Sequence, residues 1–308
     1  MFNKNSNKTL WLVFAILLIA VVLIFTTEST KKERSFKKDL VSVDTSAISS
    51  FSIFPKSKPG QEVKFLKDGK IWKVTGSDGK TFTAVDSKIK GLFTELSRIK
   101  PKRVAARNKV KWAEYQVDSA ATRVVVNESG SEVLNLIIGK FAFQQPRSMS
   151  TYVRLMGEND VYEVDGFLDM SFNKDANSFR DETIVKSDKN NWNKLTFSST
   201  ESESFELVKI DDQWTIDGLP TDSAKTATSL SSLSRVSNTD FFDDVQNGLL
   251  PSQFVKLIIE VSDEEPIDVI GYKNDSKYVV RSSQNKESYF DGNKVGEKIF
   301  LKKDSFFK

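Results

Sequence analysis

EVKFLKDGKIWKVT, residues 62–75, sets the fold of this chain. Two short apolar stretches, Glu62–Leu66 and Lys70–Thr75, flank Asp68-Gly69. An Asp-Gly pair between alternating apolar residues is a hairpin signal, because both central positions of the tight turn need positive φ. The second strand carries Trp72. FELVKIDDQWTID, residues 205–217, reads the same way: Phe205–Ile210 and Gln213–Asp217 flank Asp211-Asp212, and Trp214 stands in the second strand.

A helix follows each hairpin. Asp86 is the expected cap of the first, whose apolar residues Ile89, Leu92, Phe93, Leu96 and Ile99 fall on one helical face. Asp222 is the expected cap of the second, with Ala224, Ala227, Leu230, Leu233 and Val236. Leu96-Ser97-Arg98-Ile99 and Leu233-Ser234-Arg235-Val236 nearly coincide. Strands come next. Arg123–Asn127 and Val133–Ile138 run to Gly139-Lys140; Phe254–Val261 and Ile267–Ile270 run to Gly271-Tyr272-Lys273. Tyr152-Val153 and Tyr278-Val279 are separated by the same offset as Asp165-Gly166 and Asp291-Gly292. A constant offset over several landmarks points to duplication, although hairpins with Asp-Gly turns occur in any α+β chain. The expected fold class is α+β: an N-terminal transmembrane helix, then two tandem modules, each a mostly antiparallel sheet packed by one main amphipathic helix. The expected organisation is a tail over 1–8, a signal anchor over 9–27, a basic juxtamembrane stalk over 28–44, and modules over 45–186 and 187–308.

The anchor rests on Leu10–Phe25, with no charge between Thr9 and Thr27. Its residues include Leu10, Trp11, Leu17, Leu18, Leu23 and Phe25. Each Leu, Ile, Val or Phe favours the bilayer by roughly 0.3–0.6 kcal/mol. At about 1.5 Å per residue the uncharged span just crosses a hydrocarbon core of ~30 Å. Thr27-Glu28-Ser29 lacks the small-residue pattern of a cleavage site, which favours a retained anchor. The basic residues favour the C-terminal flank, which by the positive-inside rule argues for a cytoplasmic body, but long domains translocate largely regardless of charge. The expected placement is a single pass of the bacterial cytoplasmic membrane with the body outside.

The formal charge is +3, yet Lys4, Lys8, Lys31, Lys32, Arg34, Lys37 and Lys38 precede the body, leaving it near neutral. Nucleic acid is therefore not an expected partner. The chain has no Cys and no His, which removes disulfides, thiolate chemistry and a Ser-His-Asp triad. Gly76–Thr81 has too few residues between its glycines for a phosphate loop and fits a turn. Four Ser-x-x-Lys matches lack the companion motifs of a Ser-Lys hydrolase. Asp243/Asp244 and Glu264/Glu265 are adjacent pairs, a spacing that fits solvated charge better than glycoside hydrolysis. Arg98, Lys100, Lys102, Arg103, Arg107, Lys109 and Lys111 form a basic run without an acid. It reads as a solvated loop after a helix or as a docking patch for anionic lipid or an acidic partner. No catalytic residue, cofactor or metal ligand is expected.

Several fixed motifs occur in order: Ile71-Trp72-Lys73-Val74, Leu96-Ser97-Arg98-Ile99, Trp112-Ala113-Glu114-Tyr115-Gln116-Val117-Asp118, Leu136-Ile137-Ile138-Gly139-Lys140, Tyr152-Val153-Arg154, Val161-Tyr162-Glu163-Val164-Asp165 and Phe179-Arg180-Asp181-Glu182. Over residues 60–185, and more weakly in the second repeat, this resembles the bacterial domain-of-unknown-function family 4340. The resemblance implies a membrane-anchored envelope protein with tandem α+β modules, often encoded beside ABC-type transport components related to gliding-motility auxiliary proteins. It implies no reaction. The basic character after the helix departs from the milder polarity of the family. The leading expectation is a non-enzymatic accessory or scaffolding subunit of a membrane complex such as an ABC-type transporter, with the lipid bilayer and an integral-membrane protein as partners. An extracytoplasmic module binding a cell-wall polysaccharide or peptide between the repeats is the alternative, and a carboxylate-dependent hydrolase the third.

Overall fold

The computed structural model describes residues 39–144, 148–243, 252–273 and 277–307, with Leu250 and, near the N-terminus, Trp11, residues 13–19 and Val21. Its two large sheets are antiparallel throughout, in an α+β arrangement.

The first sheet contains β1 (Ile48–Phe54), β2 (Val63–Asp68), β3 (Ile71–Thr75), β4 (Thr81–Thr83), β5 (Pro101–Ala106), β6 (Thr122–Glu128), β7 (Ser131–Gln144), β8 (Ser148–Leu155) and β9 (Val161–Asp165). Helices α1 (Asp86–Ser97), α2 (Trp112–Tyr115) and α3 (Leu168–Phe172) belong with it. β10 (Thr183–Lys186) links onward. The second sheet contains β11 (Trp192–Ser199), β12 (Phe205–Ile210), β13 (Gln213–Ile216), β14 (Leu219–Pro220), β16 (Ser252–Val261), β17 (Ile267–Lys273), β18 (Tyr278–Ser282) and β19 (Asn285–Asp291), with α4 (Ser223–Leu233), β15 (Arg235–Ser237) and α5 (Gly292–Ile299).

The strand order is β4-β3-β2-β1-β6-β7-β8-β9 in one sheet and β14-β13-β12-β11-β16-β17-β18-β19 in the other, the same path drawn twice. In the first, β5 adds a ninth strand beside β9. In the second, among the described residues, a bridge from Phe241 to Phe290 and the bonds Phe242 N–H to Tyr289 O and Asp291 N–H to Asp240 O take that place. β15 instead pairs with β10.

Each sheet buries one face under its helices. Ile89, Leu92, Phe93 and Leu96 of α1 are buried, as are Leu230 and Leu233 of α4. Phe51 stacks on Phe65 at 4.1 Å, across β1 and β2. Phe197 stacks on Phe205 at 4.6 Å, across β11 and β12. Such cross-strand aromatic pairs contribute ~0.2–1 kcal/mol each beyond an Ala pair. Leu40, Val41 and Val43, grouped with the stalk by sequence, pack against the first core.

Capping differs between the repeats. Asp222 accepts from the N–H groups of Ala224 and Lys225, both at 3.0 Å, as expected. Asp86 does not cap α1. Val85 holds the cap position without a side-chain bond, and Asp86 pairs instead with Lys90 one turn on, at 2.6 Å. The hairpin turns also differ. Gly69 has φ 59°, whereas Asp211 and Asp212 both adopt left-handed φ, of 45° and 65°.

The basic run is not one loop: Lys102 and Arg103 stand in β5, hydrogen-bonded to β9, and Lys109 and Lys111 in a 3-10 turn. At the N-terminus, Trp11, Leu17 and Leu18 are helical and exposed, Trp11 at 71%. Leu10, Leu23 and Phe25 lie outside the described residues. Among the described residues no helix is long and apolar enough to cross a membrane.

The outer face of the first sheet is partly roofed by residues 112–117. Gln116 turns the chain with φ 53°. Tyr115 meets Tyr152 at 4.5 Å, and Arg154 lies 3.7 Å over Trp112 while its Nε donates to Val117 O. This roof sits directly on Gly139, where a Cβ would fall 2.3 Å from Tyr115 O. Backbone cannot yield as a flexible side chain would. Gly139→Ala should therefore destabilise the protein by about 1–3 kcal/mol, read as a lowered urea midpoint. Unchanged stability would show that the roof is loosely seated.

Candidate functional site

The expected docking residues fall along one edge of the first sheet, and most meet a carboxylate. Lys102 pairs with Asp165, Arg103 with the buried Glu163 at 2.5 Å, and Arg107 with Asp160 at 3.2 Å. Lys111 pairs with Glu114 at 2.7 Å, and Lys109 lies 5.3 Å over the Trp112 ring. Arg98 is the C-cap of α1, with Lys100 between it and β5. The pairing of β5 with β9 brings Asp160, Glu163 and Asp165 in from far along the chain, while Glu114 is local, so four of the seven basic residues are neutralised in place.

The densest polar arrangement lies elsewhere, where the two sheets meet. Arg180 is 1% exposed. Its guanidinium lies between Phe82 of β4, at 3.4 Å from the ring centre, and Phe241, which follows β15, at 3.8 Å. Nη1 donates to Asp243 Oδ2 at 2.7 Å and Asn177 Oδ1 at 3.1 Å; Nη2 donates to Ser288 Oγ at 3.3 Å. Nε has no hydrogen-bond partner among the described residues. The local backbone fixes this pose. Arg180 forms a bridge to Ala84, Val85 N–H donates to Phe179 O, and Asp181 N–H donates to Thr83 O. Phe179 itself enters the first core against Phe65.

Around this centre the contacts continue across both sheets. Glu287 of β19 takes Lys73 of β3, and accepts from Thr83 N–H at 2.6 Å and Thr83 Oγ1 at 2.8 Å. Asn285 Nδ2 donates to Asp181 O at 2.7 Å, and Lys80 Nζ donates to Asp243 O at 2.8 Å. Burial pushes the Glu287 carboxyl up, but hydrogen bonds from Lys73 and Thr83 outweigh it and hold the group below its usual range. The arrangement is chemically a clamp. It holds charge in fixed pairs, Arg180 on Asp243 and Lys73 on Glu287.

Of the carboxylates weighed from sequence, Asp243 is the Arg180 partner and Glu264 and Glu265 are exposed in a turn. Asp244 lies outside the described residues. Gly76–Thr81 forms the turn between β3 and β4, closed by Gly79 N–H to Gly76 O. Among the described residues no group of His, Cys, Asp and Glu is placed to hold a metal. In the sequence Arg180 is a motif residue without a role and Asp243 is half of an adjacent acidic pair; Ser288 carries no signal, and only the fold brings the three together.

Two outcomes test the clamp. Arg180→Ala should cost about 3–5 kcal/mol, as for a buried charge pair broken on one side. Arg180→Lys should not restore it, since an ammonium lacks the planar fork and the stacking face; urea unfolding of both variants reads this. Because Glu287 is lowered on folding, its contribution is present above the ordinary carboxyl value of 4.5 and is lost as pH falls below it. The thermal midpoint should fall on acidification through that window, and less so in Glu287→Gln.

A family model described as Domain of unknown function (DUF4340) matches residues 72–249, more than half of the chain. No curated protein and no solved structure matches. The match begins at Trp72, takes in Arg180 and Asp243 and runs past α4, ending before β16. The chain belongs to this family, the domain-of-unknown-function family DUF4340.

Proposed function

We propose that this protein is a non-enzymatic, single-pass, membrane-anchored component of the bacterial cell envelope. Its body stands outside the cytoplasmic membrane and serves as an accessory or scaffolding subunit of a membrane complex, such as an ABC-type transporter. The observation that carries this reading is the clamp. A buried Arg180, shared by both sheets, makes two modules into one body of fixed geometry, as a spacer or platform requires. The apolar composition of Leu10–Phe25 supports the anchor. Packing of Leu40 into the first core leaves only a short basic segment between that run and the body. This holds the body close to the bilayer, where the Lys and Arg residues of the segment meet anionic lipid. On this reading the modules are residues 45–186 and 187–308, each drawing in the short segment ahead of its first strand.

Cross-linking of the full-length chain in native membranes, followed by purification in mild detergent, tests the proposal. The expected outcome is a stoichiometric integral-membrane partner whose recovery falls when Arg180→Ala loosens the clamp. Recovery of the chain alone, or of the same partner at undiminished yield from the loosened variant, would contradict it.

A further inference from the structure

The repeat leaves a groove in each module, between the hairpin and the main helix. In the first it has a volume of about 870 Å³ and is lined by residues 43–46, the β2–β3 turn, Trp72 and the outer side of α1. The second module has the matching surface. Asp44 Oδ1 accepts from Ser46 N–H at 2.9 Å, and Asp188 Oδ1 accepts from Asn190 N–H at 3.0 Å, so the same turn borders both. Lys67 lies opposite Trp72 across the first hairpin, and Lys209 lies opposite Trp214 across the second.

The grooves differ at one bar. In the second module Lys189 reaches across and donates to Ser231 of α4. The surface is thereby divided into clefts of about 470 and 690 Å³, both touching Lys189. In the first module the corresponding residues are Thr45 and Thr94, which line the groove without closing it. Thr45 is too short to make the crossing. One copy is open and the other is barred.

The open groove has a defined chemistry. Lys67 and Lys70 are exposed and stand in no ion pair among the described residues, whereas Lys90 is matched by Asp86 at 2.6 Å. Thr45, Ser46, Thr94 and Ser97 supply hydroxyl groups, and Trp72 and Phe93 supply an apolar floor. An open, hydroxyl-lined groove whose two unmatched cations share its lining with Asp44, a carboxylate already held by the N–H and hydroxyl of Ser46, suits a polyhydroxylated chain bearing anionic groups. We propose that the groove of the first module binds an anionic glycan, with Lys67 and Lys70 on its carboxylate or phosphate groups, and that Lys189 keeps the second copy closed. This reading goes beyond the scaffold role and does not depend on it.

Affinity electrophoresis of the full-length chain in detergent tests it. The gels contain polygalacturonate, poly(glycerol phosphate) or neutral dextran. Retardation by either anionic polymer, and not by dextran, is expected; which polymer acts distinguishes carboxylate from phosphate. Thr45→Lys, which installs the bar of the second module, should weaken retardation about ten-fold, and so should Lys67→Gln combined with Lys70→Gln. The double variant alters only exposed side chains, so it decides the matter should Thr45→Lys fold poorly. Absence of retardation by both anionic polymers would overturn the proposal. Equal retardation by dextran, or retardation that the double variant leaves unchanged, would overturn it as well, the latter by assigning binding to the basic segment before the body.

Discussion

The structure turns on a guanidinium held between two phenyl rings. Arg180 leaves the first core through Phe179, lies against Phe82, and ends on Asp243 and Ser288 beside Phe241. Each ring contact of this kind is worth ~0.5–2 kcal/mol, the larger figure applying once water is excluded. The desolvation of a buried charge offsets much of that gain, so such a site is weak as a source of stability. Its strength lies in direction. An apolar contact tolerates sliding, whereas a planar fork with fixed acceptors on both sides permits one relative placement of the two sheets.

That placement matters because the modules are near copies with different edges. The strand order is shared, yet β5 completes the first sheet, while among the described residues of the second a bridge at Phe241 and the backbone bonds of Phe242 and Asp240 stand in the same place. The weak ninth position of the second sheet is where Phe241 and Asp243 meet Arg180. A full strand there would turn those side chains into a regular ladder and alternate them between faces. The divergence between the repeats thus supplies the parts of the clamp. The same divergence closes one groove with Lys189 and leaves the other open at Thr45.

Much of this fold was legible in the sequence because its signals are local. The first hairpin, the apolar face of α1, the cap at Asp222 and the paired landmarks from Tyr152 to Asp291 all depend on near neighbours, and the structure places them as read, save that Asp68 pairs with Ile71 and the turn falls on Gly69-Lys70. Asp86 misled because a residue fit to cap also serves one position later, pairing with Lys90. The basic run misled for a different reason. Lys102, Arg103 and Arg107 look uncompensated until β9 lies beside them with Asp160, Glu163 and Asp165. Charge neutralisation across a sheet, like the convergence on Arg180, is a property of strand pairing and has no counterpart in linear spacing.

Arg180 fixes one relative placement of the two sheets. The chain has no cysteine, so spin labels are readily added in pairs at exposed positions, Glu132 in the first sheet and Glu260 in the second. Pulsed double electron–electron resonance on that pair should give a single narrow distance distribution, which broadens in Arg180→Ala while each sheet keeps its own secondary structure. A broad or multimodal distribution in the unaltered protein, or a narrow one that survives loss of Arg180, would contradict the account.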